Sequence, residues 1–149
     1  MIHSHQQRVH FGDCDPAGIV YFPRFFNFFH ETMESWFGAQ LGESYADVIL
    51  GRKIGFPTVH TEADFRIPCR LGEMLSIEMR LGEIGRSSLA LHYCVREHQE
   101  HQDENDREIR MEGHTVVVAF DMNPAHDGYM RSVEIPADLR EKMELFKRS

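Results

Sequence analysis

Phe25, Phe28, Phe29, Thr32, Met33, Trp36 and Phe37 recur at i, i+3, i+4, i+7, i+8, i+11 and i+12. That spacing draws one stripe along a long α-helix. The stripe is so broad and aromatic that the helix has to be wrapped by other elements rather than laid on a surface. Pro23 suits the first helical position, where a missing N–H costs nothing, and Gly38 or Gly42 suits the end. Glu31 and Glu34 fall off the stripe and are expected on a solvated face.

Beyond residue 57 the period changes to two. Val59, Thr61, Ala63, Phe65 and Ile67 alternate with Thr58, His60, Glu62, Asp64 and Arg66. Leu75, Ile77, Met79 and Leu81 alternate with Ser76, Glu78 and Arg80, and Leu89, Leu91, Tyr93 and Val95 alternate with Ala90, His92, Cys94 and Arg96. Residues 115 to 120 are apolar on both sides, as in a strand flanked by others. Residues 82 to 86 read as a hairpin connection, and the acidic and amide-rich stretch from His98 to Glu108 as an exposed loop. Residues 43 to 51 suit a short second helix. Pro136 opens a last helix with Leu139, Met143 and Phe146 on one side. One helix cannot cover a five-stranded sheet, but a curved antiparallel sheet can wrap one apolar helix. The fold class is therefore α+β with the helix segregated to one face. A single domain spans residues 1–149, without repeats or linkers.

The approach to the long helix carries the chemistry. Val9 and Phe11 suggest a short strand, and Asp15-Pro16-Ala17-Gly18 follows it. Asp, Pro and Gly stand at the first, second and fourth places of a type I turn. The turn sets a carboxylate just ahead of a helix N-terminus, where backbone N–H groups point outward and favour negative charge. A carboxylate facing such donors is the minimum apparatus for attacking an activated carbonyl. A simple turn-capping role for Asp15 is the competing reading, and Asp13 is the alternative carboxylate.

Composition narrows the options. A formal charge of −8 leaves no clustered Lys and Arg for nucleic acid, and an anionic substrate would need a local basic patch. No apolar run is long enough to span a membrane, and residues 1 to 7 lack the pattern of a secretory signal. Cys14, Cys69 and Cys94 are widely spaced, so a disulfide framework or zinc knuckle is not expected and a cytoplasmic location is. Ten histidines raise the question of metal. His98 and His101, beside Glu97, Glu100, Asp103 and Glu104, could attract a cation, but four converging ligands for a structural zinc are not evident.

Phe11-Gly-Asp-Cys-Asp15-Pro-Ala-Gly-Ile-Val-Tyr-Phe-Pro23 resembles the signature of the 4-hydroxybenzoyl-CoA thioesterase family, and the order of elements agrees along nearly the whole chain. The resemblance implies a hotdog fold and hydrolysis of an acyl-CoA thioester, with an aromatic or short-chain acyl group. It implies Asp15 as nucleophile or general base, and a backbone N–H at Phe22 polarising the carbonyl, because Pro23 has none. It further implies acyl-CoA contacts from Thr58, Val59 and His60 and from Arg86, Ser87 and Ser88, with Arg86 suited to a phosphate. Active sites between the protomers of a homodimer, dimers pairing into tetramers, and no metal or cofactor beyond the coenzyme A of the substrate complete the expectation. A carrier-protein thioesterase, a hotdog hydratase or dehydratase, and a non-catalytic acyl-CoA-binding module are the alternatives. His60 could serve as a base lining the channel, though a strand histidine more often only hydrogen-bonds.

Overall fold

The computed structural model describes residues 1–100 and 108–149. Part of the loop from His98 to Glu108, His101 and its acidic neighbours Asp103 and Glu104 included, lies outside the described residues. The aromatic helix is α1, Arg24–Gln40, and its buried residues are the seven of the sequence stripe. Thr32 belongs there because its hydroxyl donates to the Phe28 carbonyl at 2.8 Å and so is itself satisfied. Pro23 caps α1, and Gly42, at φ +72°, turns the chain away just past its end.

Around α1 runs a five-stranded antiparallel sheet. Its strands are β1 (His3–Arg8), β3 (Thr58–Phe65), β4 (Met74–Ile84), β5 (Ser88–Glu97) and β6 (Ile109–Val118). The spatial order is β1-β4-β5-β6-β3, so β1 and β3 are the edges. Leu75, Ile77, Met79 and Leu81 on β4 and Leu89, Leu91, Tyr93 and Val95 on β5 are all buried, as their alternation requires. Between α1 and β3 stand α2 (Tyr45–Asp47), a π turn (Val48–Arg52) and the short β2 (Ile54–Gly55), which pairs with β7 (Phe120–Asp121) in a separate two-stranded ribbon. The closing helix α3 (Ala137–Arg148) buries Leu139, Met143 and Phe146. Arg52 grips Glu43 at 2.7 Å and Asp138 at the start of α3, tying both ends of this layer together.

Two elements depart from the sequence reading. The first strand lies upstream of Val9: Phe11 sits in a 3₁₀ turn, Phe11–Asp13, and is exposed. Weak alternation gave no hint that the polar run from His3 to Arg8 pairs with β4 from Met79 to Met74. On β3 the pairing with β6 slips between Thr58 and His60. The slip leaves Val59 exposed and puts Thr58 and Thr61 on one face and His60, Glu62 and Asp64 on the other.

The tightest contact between helix and sheet is made by Phe29, whose ring stacks on Tyr93 at 4.3 Å between centroids and 8° between planes. Gly113, the register partner of Tyr93 on β6, makes room for it, because a Cβ there would overlap the Phe29 ring. Gly113→Ala is expected to destabilise the fold by about 1–3 kcal/mol, the usual cost of overpacking a core. Thermal melting checks it, and an unchanged midpoint would mean the Phe29 ring has freedom to retreat.

Candidate active site

Two carboxylates, one residue apart, meet opposite fates in the turn ahead of α1. Asp15 donates its N–H to the Ile19 carbonyl at 2.9 Å, and Gly18 donates back to the Asp15 carbonyl at 3.0 Å. Cys14 and Val20 then bridge as in a small hairpin. Gly18 stands at φ +76°, the left-handed region that the last place of this turn demands. The Asp15 side chain is half-buried, and Oδ1 accepts the Ala17 N–H at 2.9 Å. Among the described residues Oδ2 has no hydrogen-bond partner.

Asp13 is spent on structure. Its carboxylate is buried; Oδ1 accepts from Arg24 Nε at 3.1 Å and Nη2 at 2.8 Å, while Oδ2 accepts the His10 N–H at 2.9 Å. Its carbonyl takes the Tyr21 N–H at 2.9 Å. The residue thus clamps the turn to the first turn of α1 and has no oxygen to spare. Between the two acids, desolvation first and then the charges of Asp13 and Asp15 raise the Cys14 thiol, so it stays protonated and does not compete as a nucleophile.

At the helix start the backbone donors can be counted one by one. Val20 donates to Cys69, Tyr21 to Asp13, Arg24 to Tyr21, Phe25 to Phe22 and Phe26 to Pro23. Pro23 has no N–H. Among the described residues the Phe22 N–H is therefore the one donor between Val20 and Phe26 without a partner. The Phe22 ring is exposed, at 6.1 Å from Phe65 near the end of β3, so the side chain does not enter the core beneath it.

A cavity of about 360 Å³ lies between α1 and the β3–β6 side of the sheet. Phe26, Phe29, His30 and Met33 form its helical wall, and Thr58, Thr61, Tyr93, Thr115 and Val117 the strand wall. Burial pushes the Tyr93 phenol well above its usual range, so it is neutral here. Of the residues expected to touch substrate, Thr58 lines this cavity. Val59 points outward at the register slip, and His60 lies on the opposite face of the sheet, toward Glu62 and His114. No local pattern pointed to Phe26 and His30. They are i, i+4 neighbours on the flank of the stripe, and only the open edge of β3 makes that flank a wall.

Arg86, Ser87 and Ser88 form the β4–β5 turn. Gly85 closes it by donating to the Ser88 carbonyl at 2.8 Å, and Arg140 of α3 holds the Gly85 and Arg86 carbonyls. The Arg86 side chain is exposed and, among the described residues, makes no ion pair. Glu31 meets Asn27 along α1 and Glu34 stands near His30, both away from the acidic turn in sequence and off the buried stripe. His98 is anchored by its N–H to the Met74 carbonyl at 2.8 Å.

Comparisons with known proteins agree with this fold. The Thioesterase-like superfamily matches residues 9–143. A 4-hydroxybenzoyl-CoA thioesterase of Pseudomonas sp. (strain CBS-3) is 31% identical over 137 residues, covering 91% of this chain and 93% of that one. A 1,4-dihydroxy-2-naphthoyl-CoA hydrolase of Prochlorococcus marinus (strain MIT 9313) is 32% identical over 95 residues, covering 59% of this chain. The match spans 62% of that relative's length. The solved structure of the 4-hydroxybenzoyl-CoA thioesterase from Pseudomonas sp. strain CBS-3 superimposes with a TM-score of 0.79 at 27% identity, over 95% of this chain and 98% of that one. The family match takes in both the acidic turn and the wrapped helix, and the chain belongs to the Thioesterase-like superfamily and has the hotdog fold.

Proposed function

We propose that this protein hydrolyses an acyl-CoA thioester, with an aromatic acyl group as the best-supported substrate class. The observation that carries the reading is the pairing of an uncommitted Asp15 oxygen with an unpaired Phe22 N–H on the turn that opens α1. The thioester carbonyl oxygen would accept the Phe22 N–H at the positive end of the helix, which stabilises the charge that develops there. Asp15 Oδ2 would then act in one of two ways. As a nucleophile it bonds to the carbonyl carbon and expels the coenzyme A thiolate, leaving a mixed anhydride that water cleaves. As a base it takes a proton from water, whose oxygen attacks the same carbon. Either way thioester and water become acid and thiol, and the reaction as written calls for no metal or cofactor.

Two features support an aromatic acyl group. The cavity walls carry Phe26, Phe29 and Tyr93, faces against which a ring stacks favourably. The relatives named above act on aromatic acyl-CoA compounds. Arg86 supports coenzyme A over a smaller thiol, since a free exposed guanidinium offers a two-pronged contact to phosphate. Ser87 and Ser88 would flank that contact.

Homodimerisation along β3 is part of the proposal, with dimers pairing into tetramers. β3 is an edge strand whose residues are nearly all exposed, and it forms one wall of the cavity. A second copy laid along it would pair the open backbone groups and close that wall. Three unpaired cysteines are consistent with a cytoplasmic setting. No described helix is long and apolar enough to cross a membrane.

Assay of thiol release from aromatic, short-chain and long-chain acyl-CoA compounds tests the reading. Asp15→Asn is expected to lower turnover by roughly 10³-fold or more with binding and melting temperature little changed; retained turnover would move the chemistry to another group. A single turnover in ¹⁸O-water tests the nucleophilic route: label in the enzyme's Asp15 carboxylate requires water to attack an Asp15 anhydride, which the base route never forms. By contrast Asp13→Asn is expected to cost about 1–3 kcal/mol of stability, because it weakens the buried acceptor shared by Arg24 and His10. Melting of the two variants side by side checks this, and equal stability would reassign the clamp. Arg86→Ala is expected to raise KM roughly tenfold, the worth of one charge-assisted hydrogen bond, with kcat unchanged. An acyl-pantetheine substrate, which lacks the nucleotide phosphates, should show no such difference.

A further inference from the structure

We propose that His60, Glu62 and His114 form a binding site for a divalent cation of the zinc class on the face of the sheet turned away from α1. His60 and Glu62 are two apart on β3 and so share that face, and His114 is the register partner of Glu62 on β6. His114 Nδ1 lies 3.1 Å from Glu62 Oε1, and His60 Nε2 lies 3.7 Å from the same oxygen. One donor atom from each of the three side chains falls within 4.8 Å of the other two. Metal–ligand bonds of about 2.0–2.2 Å place tetrahedral donors roughly 3.3–3.6 Å apart, so small rotations of the exposed His60 and Glu62 suffice.

The donor set selects the ion. Two imidazoles and one carboxylate are the ligands of open zinc sites, in which a water fills the fourth position, whereas magnesium and calcium prefer oxygen throughout. The surroundings hold the third ligand in place. His92, the register partner of His114 on β5, stacks on it at 4.7 Å and 24°, fixing the ring from behind. Asp64 and Glu112 stand two register positions away on the same face, Glu112 paired with Arg66 at 2.7 Å, and the chain carries a formal charge of −8. Neither the acidic turn nor the cavity uses any of these residues, and the His60 ring faces away from Thr58 and Thr61.

Cobalt and zinc supply the test, using metal-free full-length protein. One equivalent of Co²⁺ is expected to give the visible absorption of a four-coordinate site, and Zn²⁺ in excess should abolish it. Calorimetry with Zn²⁺ gives the affinity. His114→Ala and Glu62→Gln are each expected to weaken it by roughly 10–100-fold or more, with circular dichroism confirming that both variants are folded. His126→Ala is the control, since His126 makes a similar surface contact with Asp121 at 2.9 Å and is expected to bind as wild type does. Asp15→Asn should also bind like wild type, which separates this site from the proposed thioester chemistry. Absence of the Co²⁺ spectrum, or affinity unchanged in His114→Ala and Glu62→Gln, would overturn the proposal and leave a hydrogen-bonded histidine cluster.

Discussion

Everything in this fold answers to the need to cover one aromatic helix face. The buried side of α1 carries four phenylalanines and a tryptophan, and each such ring contributes roughly 1.5–3 kcal/mol when removed from water. α3 contributes Phe146 against Trp36, at 5.6 Å between ring centroids, and the sheet does the rest of the covering and curves to do so. The stack of Phe29 on Tyr93 shows how close that embrace is. It exists because Gly113 on the neighbouring strand has no side chain to hold the helix off. A cavity remains where the sheet runs out, at the β3 edge.

The acidic turn shows how one residue of separation changes what a carboxylate can do. Asp13 faces the helix and is consumed by Arg24 and His10, whereas Asp15 rides the tip of the hairpin and keeps one oxygen uncommitted. The two roles depend on each other. By fixing where α1 begins, the Asp13 clamp also fixes the place of the Phe22 N–H that the neighbouring turns leave over. A structural clamp and a carboxylate with an uncommitted oxygen thus fall to different acids within a segment of three residues.

Much of this was legible beforehand because it is written in local periodicity. The stripe on α1, the alternation on β4 and β5 and the apolar side of α3 each need only a window of a dozen residues, and all of them describe the structure. The turn at Asp15 was equally readable, since Pro16 and Gly18 each have a backbone reason to be where they are. What escaped was whatever depends on register between distant segments. His3 to Arg8 is polar and forms a strand because β4 offers it an edge. The slip at Val59 turns His60 away from Thr58, although simple alternation already separated their neighbours by face. His114 meets Glu62 across 52 positions of sequence, a meeting that no local pattern announces.

The open edge of β3 has a consequence for the company this protein keeps. An uncovered strand of eight residues invites any passing β-segment to add itself. Here the slip at Val59 breaks the regular spacing of donors and acceptors near one end, and the charged side chains of Glu62 and Asp64 line one margin. A visitor in the wrong register would meet a mismatch at the bulge and buried charge along its length. The bulge and these charges thus make the edge inhospitable to the indiscriminate stacking that leads to fibres.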